Sequence, residues 1–223
     1  MAATPVTGDT LGLLARNGLR YELASELEEL GALAPLSRAQ VAVVLGQWYH
    51  PLHYFPVFLS RLIAVTPRVE MQTHISRILW QELGAGDSKK AHEIIYVSTM
   101  ADAGFSRDQV AEAAPFEDTE RLTAGYERAS ENYLSGLGFM YSTEVADLAM
   151  VSTIGKLVRR CAGSRDLPWV DIHIEQEPDH VESSRQALKP SFTAEEQRQI
   201  VESGEEMWGL WIDFFRGIKG AIS

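Results

Sequence analysis

The sequence contains almost no cysteine and no long apolar stretch. Cys161 is the only cysteine among 223 residues, so an intrachain disulfide and a cysteine-rich zinc site are both excluded. No apolar run approaches the roughly 20 residues of a membrane-spanning helix, and the start, MAATPVTGDT, lacks the basic and apolar regions of a secretory signal. The formal net charge of −11 argues against nucleic acid and anionic membranes as partners. We therefore expect a soluble, cytoplasmic protein.

Patterns typical of β-strands are also scarce, whereas apolar residues recur at helical spacing through most of the chain. Ser37 is a candidate N-cap, and Gly136 and Gly138 are expected to bend or split the longest helical stretch. The sequence predicts one all-α domain, residues 1–223, of seven to eight helices. The expected helices cover residues 11–30, 38–65, 68–83, 87–103, 119–161, 169–186 and 193–218.

The most informative polar pattern is His173-Ile-Glu-Gln-Glu177-Pro-Asp-His180. On a helix, offsets of four and seven residues rotate by roughly 40° and −20°, so His173, Glu177 and His180 share one face. Two imidazoles and a carboxylate on one face form a partial ligand set for a first-row metal ion. The alternative is an acidic, solvated helix face with two incidental histidines.

Two further carboxylates lie on apolar stripes. Glu82 is in phase with preceding apolar residues, and a carboxylate on an inward face is costly unless it is paired or bound to a metal. Its alternative is a helix-terminal residue that faces water beside Gly84. Glu144 has apolar neighbours on both sides along its stripe, and its alternative is a buried ion pair with Arg159 or Arg160.

The remaining histidines are weaker candidates. His92 follows Glu82 across a glycine turn and is either a ligand or a hydrogen-bonded core residue. His50 and His53 lie between two prolines and are expected to support packing rather than to bind a metal. Glu70 and His74 have ligand spacing but lie off the stripe that carries Glu82, so we expect both to be exposed.

Together the candidates offer three carboxylates and three imidazoles from four helices, a set that suits two iron ions with bridging carboxylates in a helical bundle. The pattern Glu82-Leu-Gly-Ala-Gly-Asp, then Ala91-His92, a mid-helix Glu and His-x3-Glu-x2-His resembles the heme-oxygenase-like diiron oxidases. That group is related in fold to the thiaminase-like and pyrroloquinoline-quinone-synthase proteins. The resemblance spans about residues 47–217, and its ligand positions are Glu82, His92, Glu144, His173, Glu177 and His180.

The resemblance implies a heme-oxygenase-like bundle that binds two Fe(II) ions, which react with O2 as co-substrate to oxidise a small molecule. The helix that carries the last three ligands tends to be mobile in this family. Pro178 gives a physical reason to expect the same here, because it disfavours helical geometry at Glu177. We therefore expect elevated mobility or a break in the helix around residues 176–181 when little metal is bound.

The candidate pocket residues Trp48, Tyr96 and Tyr141 are aromatic and partly polar. They favour a small amino acid or amine as substrate. The resemblance to the family implies N-oxygenation, desaturation or C–C cleavage in a biosynthetic pathway as the outcome. A substrate carboxylate would need a cationic clamp, for which Arg159 and Arg160 are candidates. A homodimer is compatible with the sequence. Two alternatives stay open: a metal-free thiaminase-like hydrolase or cofactor-forming oxidase of the same fold, and a non-catalytic helical interaction module.

Overall fold

The computed structural model describes residues 9–163 and 166–223. Within these ranges the chain forms ten α-helices, and a 3-10 turn at Ser88–Lys90 precedes the fifth. Eight of these helices have eleven residues or more, which confirms the predicted all-α bundle. The helices are α1 Thr10–Ala15, α2 Gly18–Ala32, α3 Arg38–Val65, α4 Val69–Glu82, α5 His92–Asp102, α6 Arg107–Ala111, α7 Glu117–Ala129, α8 Tyr133–Ala162, α9 Pro168–Ala187 and α10 Ala194–Ile222.

Side-chain caps define the beginnings of the longest helices. At α3 the Ser37 hydroxyl accepts a hydrogen bond from the Gln40 backbone, and the Gln40 side chain accepts one from the Ser37 backbone. Thr193 and Glu196 form the same reciprocal pair at α10. These bonds satisfy backbone donors that have no partner inside the helix, so the polar residue fixes the first turn. The predicted bounds of α3 are confirmed.

Two predicted helices are interrupted where a short polar side chain caps a new one. Asn17 caps α2 and divides the expected helix 11–30, and Asn132 caps α8 and divides the expected helix 119–161. The prediction that Gly136 and Gly138 split the longest stretch is wrong, because α8 continues through both; a bend at these residues stays a prediction. Gly138 instead allows close packing, since a Cβ atom there would lie 2.3 Å from the carbonyl oxygen of Ile200 on α10.

A break in α9 is not observed: the helix runs without interruption from Pro168 to Ala187, with Pro178 inside it. The elevated mobility of this segment stays a prediction. Pro178 lies on the exposed side of the helix. The carbonyl that loses its usual donor belongs to Ile174, which is itself 55% exposed. Water can therefore satisfy that carbonyl, and the helix tolerates the proline.

The core lies between α8, α10 and the helices that pack around them. Its buried apolar side chains form one cluster, and α10 contributes the aromatic stripe Trp208, Trp211, Phe214 and Phe215. Among the described residues, no helix combines the length and the apolar character that crossing a bilayer requires. The single-domain organisation stays a prediction.

A glycine turn between α4 and α5 brings two of the candidate ligands together. Gly84 and Gly86 have φ angles of +86° and +94°, which side chains with a Cβ atom rarely adopt. A Cβ atom on Gly84 would lie 2.2 Å from the Asp87 carbonyl oxygen, whereas one on Gly86 would meet nothing within 4 Å. The turn therefore reverses the chain so that Glu82, the last residue of α4, approaches His92, the first residue of α5.

Gly84→Ala is expected to lower the free energy of unfolding by more than Gly86→Ala does. Both variants incur backbone strain of about 1 kcal/mol or more, but only Gly84→Ala adds a clash with backbone atoms that cannot rotate away. Urea denaturation of the two variants measures the difference, and we expect Gly84→Ala to lose about 2–3 kcal/mol. Equal losses would show that the close approach at Gly84 has no energetic importance.

Candidate metal centre

Four helices contribute the six predicted ligands, and the structure places all six side chains in one buried region. Helix α9 packs against α4, α5 and α8, so its inner face meets the end of α4, the beginning of α5 and the middle of α8. Each of the six residues is at most 5% exposed. They are Glu82 of α4, His92 of α5, Glu144 of α8, and His173, Glu177 and His180 of α9.

His180 is the centre of the cluster. Its Nδ1 atom lies 3.4 Å from Oε2 of Glu144, 3.6 Å from Oε1 of Glu82 and 3.9 Å from Oε2 of Glu177. One donor atom each from Glu144, Glu177 and His180 lies within 4.8 Å of the other two. One imidazole therefore faces three carboxylates that come from three different helices.

His92 joins the glycine turn to α9. Its Nδ1 atom lies 3.1 Å from Oε2 of Glu82, and its Nε2–H donates to the Gln176 side-chain oxygen at 3.2 Å. The ring centroids of His92 and His173 are 4.6 Å apart. Glu82 is thus a buried partner of histidine rather than a solvent-facing helix end. Gln176 was not predicted to contact a ligand, although its position within the His173–His180 motif could have indicated it.

Asp147 is a second residue that the sequence analysis missed. It lies one turn after Glu144 on α8, so both carboxylates point to the same side of the helix. Its Oδ2 atom lies 3.7 Å from Nε2 of His173, and its side chain is 16% exposed. The spacing Glu144-x2-Asp147 could have indicated it, because three residues are close to one helical turn.

The carboxyl groups of the cluster differ widely in their pKa values. Burial alone would raise the pKa of Glu82, but the charges of His92 and His180 and a hydrogen bond from His92 lower it to about 2. Burial and the charges of Asp147 and Glu144 raise the pKa of Glu177 well above its usual value. Burial, with the charge of Glu82, raises the pKa of Asp147 to about 6. The cluster therefore holds more carboxylates than it can ionise together.

The histidines are also perturbed. Burial lowers the pKa of His173 to about 4. Burial would likewise lower the pKa of His180, but the charge and hydrogen bond of Glu144, together with Glu82, raise it to about 9. In the described part of the chain, no lysine or arginine forms an ion pair with these carboxylates. The alternative of a Glu144–arginine pair is therefore wrong, and the Arg160 guanidinium instead donates to the Gly31 carbonyl oxygen.

The donor set fits a divalent first-row metal ion. Oε1 of Glu144, Oε1 of Glu177 and Nε2 of His180 are buried without a hydrogen-bond partner, which is costly unless another group compensates. Metal–ligand distances of about 2.0–2.2 Å at angles of about 90–120° separate two donors by about 2.8–3.8 Å. The separations from Nδ1 of His180 to the Glu144 and Glu82 carboxylates, 3.4 and 3.6 Å, and from Nδ1 of His92 to Glu82, 3.1 Å, fall in that interval. Imidazole and carboxylate donors are those that iron and its neighbours accept.

A small cavity of about 30 Å³ borders the cluster on the side of α3 and α10. Of the three predicted pocket residues, Trp48 lines it, whereas Tyr96 and Tyr141 do not. The Tyr96 hydroxyl donates to the Leu45 carbonyl oxygen and is committed to the core. The remaining wall is mostly apolar or aromatic and comprises Pro51, Leu52, Phe55, Tyr126, Thr143 and Trp211, with Glu82, Glu144, Asp147, His173 and Glu177 at the end that borders the cluster.

A groove between α8 and α9 reaches the cluster from the opposite side. Glu144 and Glu177 lie on its wall, as they do on the wall of the cavity, and Glu182 and Arg185 line it further along α9. The groove has a volume of about 360 Å³, and Leu148 contributes to its apolar wall. The two carboxylates are therefore shared between an aromatic interior space and an outer groove.

The weaker candidates lie outside the cluster. The His50 ring nitrogen Nε2 donates to the Ala113 carbonyl oxygen at 2.9 Å. His53 pairs with Glu93 at 3.0 Å, and its side chain is 58% exposed. Glu70 is exposed as expected, but His74 is half-buried. In the described part of the chain, none of these residues joins the group that could hold a metal ion.

Comparison with known proteins gives a family and a fold. The model of a family described as iron-containing redox enzymes matches residues 42–211. A CADD-like protein of unknown function from Nostoc punctiforme PCC 73102 superposes with a TM-score of 0.79 at 17% identity, covering 96% of each chain. A domain of unknown function with a heme oxygenase-like fold from Shewanella denitrificans OS217 has a TM-score of 0.69 at 17% identity, with 95% of this chain and 88% of that one covered.

A TenA homolog from Pseudomonas syringae pv. tomato str. DC3000 has a TM-score of 0.62 at 11% identity, covering 98% of this chain and 99% of that one. No curated protein matches the chain. At these identities the solved structures establish the fold alone. They confirm the heme-oxygenase-like bundle predicted from the sequence.

Proposed function

Because the chain belongs to the family of iron-containing redox enzymes, we propose that it is an O2-dependent oxidase or oxygenase with two non-heme iron ions. The observation that carries the proposal is the buried cluster of carboxylates and imidazoles contributed by four helices. The residues that would hold the ions are Glu82, His92, Glu144, His173, Glu177 and His180. Two bound Fe(II) ions would supply the electrons for the reduction of O2 and thereby the oxidation of a substrate.

Neighbouring groups orient the proposed ligands. The Nδ1–H of His173 donates to the Trp169 carbonyl oxygen at 2.7 Å, so Nε2 is the nitrogen available for a metal. Gln176 holds His92 by accepting from its Nε2–H, which directs Nδ1 toward Glu82. The polar groups are thus prearranged by hydrogen bonds that do not themselves require a metal ion. Such orientation strengthens metal binding, since less side-chain freedom is lost when the ion binds.

The cavity supports an amine as the substrate group. Trp48, Phe55, Tyr126 and Trp211 present aromatic surfaces, and aromatic faces attract an ammonium group, more strongly when it is desolvated. Among the described residues that line the cavity there is no lysine or arginine. A substrate carboxylate would find no cationic partner there, and Arg159 and Arg160 are not part of its wall.

The groove between α8 and α9 supports an amino acid in addition to a simple amine. Arg185 is exposed and lies on the wall of the same groove as Glu144 and Glu177. An arginine at this place could bind a substrate carboxylate in a bidentate manner. We therefore propose a small amino acid or amine metabolite of a biosynthetic pathway as the substrate, oxidised by N-oxygenation, desaturation or C–C cleavage.

A second candidate is a metal-free hydrolase of the same fold, and the similarity to a TenA homolog supports it. A thiaminase-like hydrolase needs a nucleophilic cysteine in its pocket. Cys161, the only cysteine of the chain, is half-buried near the end of α8 and does not line the cavity. The clustered histidines and carboxylates also have no purpose in that reaction, so the diiron proposal accounts for more of the structure.

Anaerobic titration with ferrous ion, followed by exposure to O2, tests the proposal. We expect two ions to bind per chain and O2 to be consumed, faster when a substrate amine or amino acid is present. Binding of less than one ion per chain without O2 consumption would contradict the diiron function and favour the hydrolase or a helical interaction module. A panel of amines, amino acids and fatty acids identifies the substrate class, and acceleration by fatty acids alone would contradict the amine assignment.

A further inference from the structure

Asp147 provides a carboxylate at the cluster beyond the six proposed ligands. It follows Glu144 by three residues on α8 and shares its side of the helix. Its Oδ2 atom is buried and has no hydrogen-bond partner. The nearest nitrogen is Nε2 of His173, at 3.7 Å. A carboxylate oxygen without a donor in a buried place needs a compensating group.

The His173 imidazole cannot readily be that group. Its Nδ1–H donates to the Trp169 carbonyl oxygen, so in the neutral ring Nε2 is an acceptor with its lone pair directed away from Trp169. Two acceptors, Oδ2 and Nε2, therefore face each other at 3.7 Å. A cation between them would satisfy both.

The distance suits a shared metal ion. Two donors at about 2.0–2.2 Å from one ion lie about 2.8–3.8 Å apart when the angle at the ion is about 90–120°, and the observed 3.7 Å falls within that interval. Glu177 and Glu144 line the same cavity as Asp147 and His173, so their carboxylates are close to this pair.

We propose that Asp147 is a seventh metal ligand, which binds the ion held by His173. The proposal rests on the proposed diiron function. Asp147 and His173 would then hold the same ion, and removing the Asp147 carboxylate would leave that ion with one donor fewer.

Asp147→Asn tests this assignment because it keeps the shape of the side chain and removes its negative charge. In an anaerobic calorimetric titration with ferrous ion, we expect the wild type to bind two ions. We expect Asp147→Asn to bind one ion with unchanged affinity and the second at least about tenfold more weakly. Asp147→Glu, which keeps the carboxylate, should recover part of the second affinity. Asp171→Asn, an exposed position on α9, is the matched control and should bind as the wild type does.

The outcomes distinguish a failure of the Asp147 proposal from a failure of the diiron function on which it rests. If the wild type binds no ferrous ion, the diiron function itself is wrong. If the wild type binds two ions and Asp147→Asn binds both with unchanged affinity, only the role of Asp147 is wrong. Urea denaturation of the metal-free variants completes the test. Weaker binding in both Asp147→Asn and Asp147→Glu together with a large loss of metal-free stability would mean that Asp147 supports the fold and is not a ligand.

Discussion

His180→Ala is expected to lower the free energy of unfolding of the metal-free protein by about 3–5 kcal/mol, the usual cost of removing one partner from a buried ion pair. The His180 ring is 1% exposed and faces Glu144, Glu82 and Glu177. Burial would lower its pKa, but the charge and hydrogen bond of Glu144 and the charges of Glu82 and Asp147 raise it to about 9. Near pH 7 the imidazolium is therefore the main positive charge among buried acids, and alanine leaves those acids without it.

The pH dependence of this effect has a definite sign. Because the folded pKa of His180 lies above its value of 6.5 in the unfolded chain, the stabilisation is complete below about pH 6.5 and is lost as the pH rises through about 9. Urea denaturation in the presence of a chelator, at pH 6.5 and above pH 9, measures it. His74→Ala replaces a half-buried histidine outside the cluster and should change stability by less than about 0.5 kcal/mol. A loss for His180→Ala that is equally small, or that is independent of pH, would contradict the charge assignment.

Glu177→Gln is expected to weaken iron binding while it leaves the stability of the metal-free protein nearly unchanged. Burial and the neighbouring charges of Asp147 and Glu144 raise the pKa of Glu177 well above its usual value, so the neutral form is favoured in the metal-free protein. Glutamine has the shape of that form, and we expect the metal-free stability to change by less than about 1 kcal/mol. Iron binding should suffer much more, because glutamine is a weak ligand that cannot bridge two ions as a carboxylate does.

Thermal unfolding with and without ferrous ion measures this separation. At a concentration one hundred times the dissociation constant, a bound ion stabilises the folded state by about 2.7 kcal/mol, which corresponds to roughly 5–10 °C for a chain of this size. We expect the wild type to show this shift and Glu177→Gln to lose most of it. Glu175→Gln, on the exposed side of the same helix, should keep the full shift. An undiminished shift in Glu177→Gln would exclude Glu177 as a ligand.

The sequence predicted the helices well where local chemistry defines them. The beginning of α3 at Ser37 followed from a polar cap before a long apolar pattern, and the capping bonds depend only on residues three apart. The break at Asn132 was missed because helical periodicity continues on both sides of it. Gly138 was misinterpreted because a glycine that weakens an isolated helix can also permit two helices to touch, which depends on the partner residue Ile200 of α10.

The sequence by itself determined the donors of the candidate site. His173, Glu177 and His180 share a face because the helical period places them there, and a carboxylate such as Glu144 on an apolar stripe must be buried. Only the tertiary structure decided which groups meet. The positive φ angles of the glycine turn bring Glu82 to His92, and the packing of α8 against α9 brings Asp147 to His173. Such encounters depend on the relative positions of separate helices, which the spacing of residues along one helix does not encode.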